Sequence, residues 1–183
     1  VGVTAGYLRG RFDAVVSVVV DAMLAIPALV VLVAIAAVGR RDMTTLIVAL
    51  GAIGIPTFAR LSRANTLPLA ARGFVTAARA LGASTARIVL RELLPNVMTA
   101  VAAFALLFAA FVVVAEATLS FLGLGVPPPA PSWGGMVSDS VPYLQTKPYL
   151  VFVPALCIAL SVAALTVVGD HLRSLSDVTD VKL

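Results

Sequence analysis

From Val97 to Ala115 the chain runs without a single charged residue. A stretch of that length and polarity is what a membrane-crossing helix needs, namely about 20 consecutive apolar residues. It lies inside a longer apolar segment, about Asn96 to Leu122, and three more follow the same pattern. These are Ala14 to Val38, Thr44 to about Leu61 (the apolar part ends near Ala59, and Arg60 can snorkel), and Leu150 to Val168. Composition agrees. Of 183 residues, 61% are hydrophobic and 12% charged, whereas soluble domains carry about 45–50% and about 25%. That leaves too little polar surface for a water-exposed enzyme. Disorder is excluded as well, since it needs low hydrophobicity and high net charge. The expected fold class is an all-α, polytopic membrane bundle.

Thirteen Lys and Arg stand against nine Asp and Glu, a net charge of +4. Membrane topology accounts for this excess better than nucleic-acid binding does. Ten of the 13 cations are Arg9, Arg11, Arg60, Arg63, Arg72, Arg79, Arg87, Arg91, Arg173 and Lys182. Alternation of the four spans puts all ten on one face, and the positive-inside rule makes that face cytoplasmic. Arg40, Arg41 and Lys147 fall on the other face. Three polar stretches are expected between the spans: a short basic turn over Arg9–Asp13, a cytoplasmic loop over 63–94, and an external segment over Gly125–Pro148. The last is too rich in proline and glycine to be one helix. A polar C-terminal tail from Gly169 is expected on the cytoplasmic side. Val1–Leu8 reads as the end of a further apolar helix, so the chain is expected to be the C-terminal portion of a longer protein.

With one cysteine, Cys157, and one histidine, His171, neither an intramolecular disulfide nor a usual zinc site can be built. They read as a packed core residue and a solvated tail residue. No G-x-x-x-x-G-K-[ST] phosphate loop occurs, and no catalytic pair is visible, which disfavours a membrane-embedded enzyme.

The loop from Phe74 to Pro95 is the most informative segment. Ala77 to Leu81 favour a helix. Gly82 can end it in a left-handed conformation. Ser84 or Thr85 can cap a second helix, on which Arg87 and Arg91 share a face. Pro95 suits the first turn of the next span. The result is helix, turn, helix on the cytoplasmic side. Physically this is either an amphipathic cap on the bundle or a surface whose small residues let another protein approach closely.

Ala77-Ala78, Gly82 and Leu94-Pro95 resemble the EAA loop of binding-protein-dependent ABC importer permeases. Thr76 stands where that pattern has Glu, and Glu92 where it has a hydrophobic residue. Glu116-Ala117-Thr118-Leu119-Ser120-Phe121-Leu122-Gly123-Leu124-Gly125, and Pro128 to Gly134 with Pro131-Ser132-Trp133-Gly134, resemble the second permease of dipeptide and oligopeptide importers. Ala5-Gly6-Tyr7 with Asp13, and Gly169-Asp170 with Leu172-Arg173, also match the family. The resemblance implies the type I ABC importer permease fold, with residues 1–183 as the transmembrane domain and its first span missing. It implies a bacterial cell-membrane location. It also implies a second homologous permease, two ABC ATPases that hold ATP and Mg, and an external solute-binding protein, with no cofactor on this chain. Thr76, Ala77, Ala78, Arg79, Leu81, Gly82, Arg87, Leu94 and Pro95 would then form the ATPase-coupling region.

Asp21, Glu116 and Ser120 are candidates for the pathway or gate, because an ionisable residue in a span is costly. For Asp21 an Arg partner is an equal alternative, and for Glu116 a bond to a neighbouring loop near the interface. Pro131, Ser132, Trp133 and Gly134 are candidates for docking the binding protein, although Trp133 could instead anchor the membrane interface. Pro27 and Pro56 read as structural kinks. The resemblance implies a permease of an ATP-driven peptide importer, with nickel, glutathione or haem as the close alternative cargo. Two other classes stay open, an ion-coupled secondary transporter and a membrane scaffold that transports nothing.

Overall fold

The apolar segments form helices, and polar or proline positions decide where those helices break. A computed structural model of the chain describes residues 1–40, 42–127 and 129–180. Among these the architecture is all-α, without strands: α1 (Gly2–Leu8), α2 (Gly10–Ala25), α3 (Ala28–Val38), α4 (Met43–Leu69), α5 (Gly73–Ala80), α6 (Thr85–Arg87), α7 (Leu94–Phe121), α8 (Trp133–Ser140) and α9 (Tyr149–Asp180). A π-helical turn over Ile88–Leu93 joins α6 to α7. Three continuous helices are long and apolar enough to cross a membrane: Met43–Leu69, Thr85–Phe121 and Tyr149–Ser174. The α2–α3 pair is a fourth candidate, as a broken span.

Four expectations need correction. The segment Ala14–Val38 is not one continuous helix. Ile26 (ψ 126°) and Pro27 (ψ 125°) are extended; a proline ring disfavours the helical conformation in the residue before it, and here the helix breaks there. The second span does not end near Leu61, since α4 continues to Leu69 with Pro56 and Pro68 inside it. Residues 63–94 are therefore mostly helical. The second half of this loop and the third span form one helix of 37 residues from Thr85. Its π turn ends with the Leu94 N–H donating to Val89 O, just before Pro95, which has no N–H to give. The polar segment from Gly169 is helical, since α9 runs to Asp180. The turn over Arg9–Asp13 shrinks to Arg9 (φ +53°) and Gly10 (φ +65°). Arg41, Pro128 and Lys182 lie outside the described residues.

The chain packs as two compact units. The first comprises residues 1–26, 54–104 and 172–183. Its core joins Val3 of α1, Val75 of α5, Ile88, Val89 and Leu93 of the π turn, and Val97 of α7. Gly2 and Gly6 form a G-x-x-x-G face that lets α1 touch the α4 backbone: a Cβ on Gly2 would lie 2.3 Å from Ala59 O, and one on Gly6 2.9 Å from Arg63 O. Such small-residue contacts replace the hydrophobic drive that lipid removes. Two ion pairs join α2 to α4, Arg63 with both Asp13 oxygens and Arg60 with Asp21 at 2.5 Å.

The second unit comprises residues 27–53 and 105–171. Its core joins Leu32 and Ala36 of α3, Leu46, Ala49 and Leu50 of α4, and Ala115 and Leu119 of α7. Asp42 caps α4, accepting the Thr45 N–H at 2.7 Å. That bond, first among its causes, holds the Asp42 carboxyl below the usual aspartate range.

Candidate functional site

Two surfaces carry the residues singled out by sequence, one in each unit. In the first unit α5 is anchored by one side. Val75 is 1% exposed against the core described above, and Ala78 packs beside it. The rest of the helix faces outward: Thr76, Ala77, Arg79 and Ala80 are exposed, and Leu81 just past its end is 88% exposed. Gly82 has φ +78°. Its N–H donates to Arg79 O and the Ala83 N–H to Ala78 O, both at 3.0 Å. This is a Schellman stop, with Ala83 and Ala78 packed on the same core. The Ser84 hydroxyl then caps the next helix, accepting the Arg87 N–H at 3.3 Å. The expected helix–glycine–helix form is therefore present.

Not all the coupling candidates share this surface. The Arg79 guanidinium donates to the Tyr7 hydroxyl at 3.1 Å and lies 5.4 Å from the centre of that ring, so it fastens α5 to α1. Leu94 is half-buried and packs on the core, and Pro95 is an exposed residue at the foot of α7. Arg87 is exposed on α6. Asp21 forms an ion pair with Arg60, both side chains being more than half exposed.

In the second unit the motif from Glu116 to Gly134 folds back on itself. α7 ends in another Schellman stop at Gly123 (φ +74°), with Gly123 N–H to Ser120 O at 3.0 Å and Leu124 N–H to Leu119 O at 2.8 Å. The returning loop lies against α7 through glycines. A Cβ on Gly125 would lie 1.9 Å from Ser120 Oγ, and one on Gly134 2.2 Å from Ala117 O. The Ser132 hydroxyl caps α8, accepting the Gly135 N–H at 3.0 Å. The Ser138 hydroxyl ties α8 back to Phe121 O at 2.9 Å. This brings Pro131, Ser132 and Trp133 beside Glu116 around a cleft of about 330 Å³. Ser120 Oγ donates to Glu116 Oε1 at 2.6 Å. The pairing of Glu116 with Ser120 was legible as an i, i+4 spacing, but the part played by Gly125 and Gly134 was not. Among the described residues no group of three or more His, Cys, Asp or Glu could hold a metal ion.

Comparison with known proteins bears on the whole chain. Residues 1–177 match the family described as the binding-protein-dependent transport system inner membrane component. The chain is 37% identical over 177 residues to a protein of Brucella suis biovar 1 named provisionally as a peptide transport system permease protein, covering 97% of this chain and 60% of that one. It is 36% identical over 171 residues to the glutathione transport system permease protein GsiD of Escherichia coli O6:K15:H31, covering 93% of this chain and 56% of that one. It thus spans somewhat more than half the length of these relatives. With its all-α fold and apolar helices, this multi-pass membrane chain belongs to the family of binding-protein-dependent transport system inner membrane components.

Proposed function

We propose that the chain is the greater part of a permease subunit of an ATP-driven peptide importer in the bacterial cell membrane. The observation that carries this is the α5–Gly82–α6 surface, a short helix held by one buried valine that offers Thr76, Ala77 and Leu81 outward. Leu81, 88% exposed at the end of α5 and beside a basic loop, gives a partner an apolar contact on this surface. The occupant proposed is an ABC ATPase, which would supply the ATP and Mg chemistry. Closure of two such ATPases would push α5 and, through Val75, Ile88 and Leu93, the foot of α7. A second permease completes the pathway and an external binding protein delivers the cargo.

The orientation follows from charge. Nine of the ten cations assigned to the cytoplasmic face are described, and all nine fall in the first unit together with α5; this supports placing residues 63–94 and the C-terminus in the cytoplasm. The peptide cargo rests on the names of the relatives, and glutathione is the second reading for the same reason. The test is co-purification of the full-length permease from its native membrane, followed by reconstitution of the complex in proteoliposomes. Dipeptide uptake should require ATP and the binding protein. Uptake driven by a proton gradient without ATP would overturn the proposal in favour of a secondary transporter.

A further inference from the structure

The Glu116 cleft poses an electrostatic question that the fold leaves open. Glu116 is half-buried toward the end of a long apolar helix, where an isolated carboxylate is costly. Ser120 donates one hydrogen bond to Oε1, which leaves most of the acceptor capacity of a carboxylate unused. Among the described residues it makes no ion pair: the acids that do are Asp13 and Asp21, in the other unit. Besides Ser132, whose hydroxyl caps α8, the other walls of the cleft are apolar and polarisable, with Trp133, Met43, Met136, Pro131 and Val126 lining it together with Glu116. Trp133 is 42% exposed, and indole is the best of the aromatic faces for a cation. Methionine thioethers adapt to varied apolar neighbours. An anion set among such groups is complementary to an organic ammonium, not to a hydrated metal ion, which would need several oxygen ligands.

We propose that this cleft binds the protonated α-amine of the transported peptide, with Glu116 as its counter-ion and Trp133 flanking it. The proposal rests on the peptide-importer reading for its choice of ligand. Both peptides and glutathione carry a free α-amine, so one site serves either cargo. At about 330 Å³ the cleft is at the small end of ligand sites, which run from about 300 to 1,000 Å³. It suits one terminus of a peptide and leaves the rest unread, as a pathway for varied sequences requires. Gly125 and Gly134 keep the carboxylate and the indole together, because neither position has room for a side chain.

Trp133 is the one tryptophan of these 183 residues, so once any tryptophans outside them are replaced by phenylalanine its fluorescence reports on the cleft. The purified full-length permease in nanodiscs is titrated with leucylglycine and with N-acetyl-leucylglycine. The free amine should give a saturable change, and the acetylated peptide should bind about tenfold more weakly, the scale of one charge-assisted hydrogen bond. Glu116→Gln should remove this discrimination while helical content and thermal unfolding stay unchanged. Equal binding of the two peptides, or of neither, overturns the site on the native protein alone, whatever happens to the variant. Uptake assays keep the two proposals apart. Amine discrimination without ATP-dependent uptake retains the site and removes the importer reading; uptake without discrimination does the reverse.

Discussion

The two packing units divide the work differently. Among the described residues the first carries nine Lys and Arg against five Asp and Glu, while the second carries two against four. The first is held by paired charges and a valine-rich core around α5. The second is held by backbone-to-backbone contact at glycines and by helix stops that leave one carboxylate facing a cleft. Yet α4 and α7 each contribute residues to both units. The lesson is that charge is sorted between the units that share these helices: most of the cations gather with α5 in the first, while Glu116 of α7 lies in the second.

The comparison can be broken most sharply at the glycines. Gly134→Ala sets a Cβ against Ala117 backbone atoms that cannot move aside. It should cost about 3 kcal/mol, the upper range for overpacking, read as a fall in thermal unfolding temperature in nanodiscs. A Gly134→Ala protein of native stability would show that the returning loop does not pack as described. A Cβ at Gly82 would meet no neighbour within 4 Å, so Gly82→Ala costs chiefly the left-handed backbone, about 1–2 kcal/mol, and Gly82→Val adds its γ-methyls to that exposed turn. The folded protein should survive, but with uptake-coupled ATP hydrolysis abolished, because the helix–turn–helix surface is re-aimed. Undiminished uptake in Gly82→Val would remove the coupling role from this segment.

Smaller effects sharpen the picture. A double-mutant cycle of Arg79→Ala and Tyr7→Leu should yield a coupling energy of about 0.5–1 kcal/mol, the range for an exposed cation–aromatic pair. A value near zero would leave α5 tethered by the packing of Val75 and Ala78 alone. The least effect is expected at Asp42. Its carboxyl titrates below the usual aspartate range in the folded chain. Its stabilising bond is therefore complete above the unfolded aspartate pKa and is lost as pH falls through the lower folded value. Asp42→Asn should flatten the stability curve in that acidic window and leave neutral pH nearly unchanged. An unaltered acid limb would show that the cap does not hold α4.

Much of this was legible in the sequence because it depends on local chemistry. The apolar runs gave the helices, Gly82 its left-handed stop, and Ser84 its cap. What escaped notice depends on contacts between distant segments. Asp13 and Asp21 sit two turns apart on α2 and find Arg63 and Arg60 on α4, so an arginine-bearing stretch that reads as loop stays helical to Leu69. Pro27 reads as a kink, but only the backbone shows that Ile26 follows it into an extended conformation. Pro95 suits a helix start, yet the π turn before it allows one helix to continue from Thr85. Gly125 and Gly134 look like ordinary loop glycines until the atoms they would collide with are known.

The account stands or falls on α5 as the surface that an ATPase covers. Leu81→Cys in a Cys157→Ala background gives a single thiol among these residues, since Cys157 is the one native cysteine. It can be tested in the co-purified complex with a short bifunctional thiol reagent, against Trp133→Cys as a control. Cross-linking from position 81 to the ATPase subunit, changed in yield by ATP and absent from position 133, is the predicted result. A position 81 that labels freely with a bulky water-soluble maleimide in the assembled complex, and cross-links to no ATPase, would contradict it.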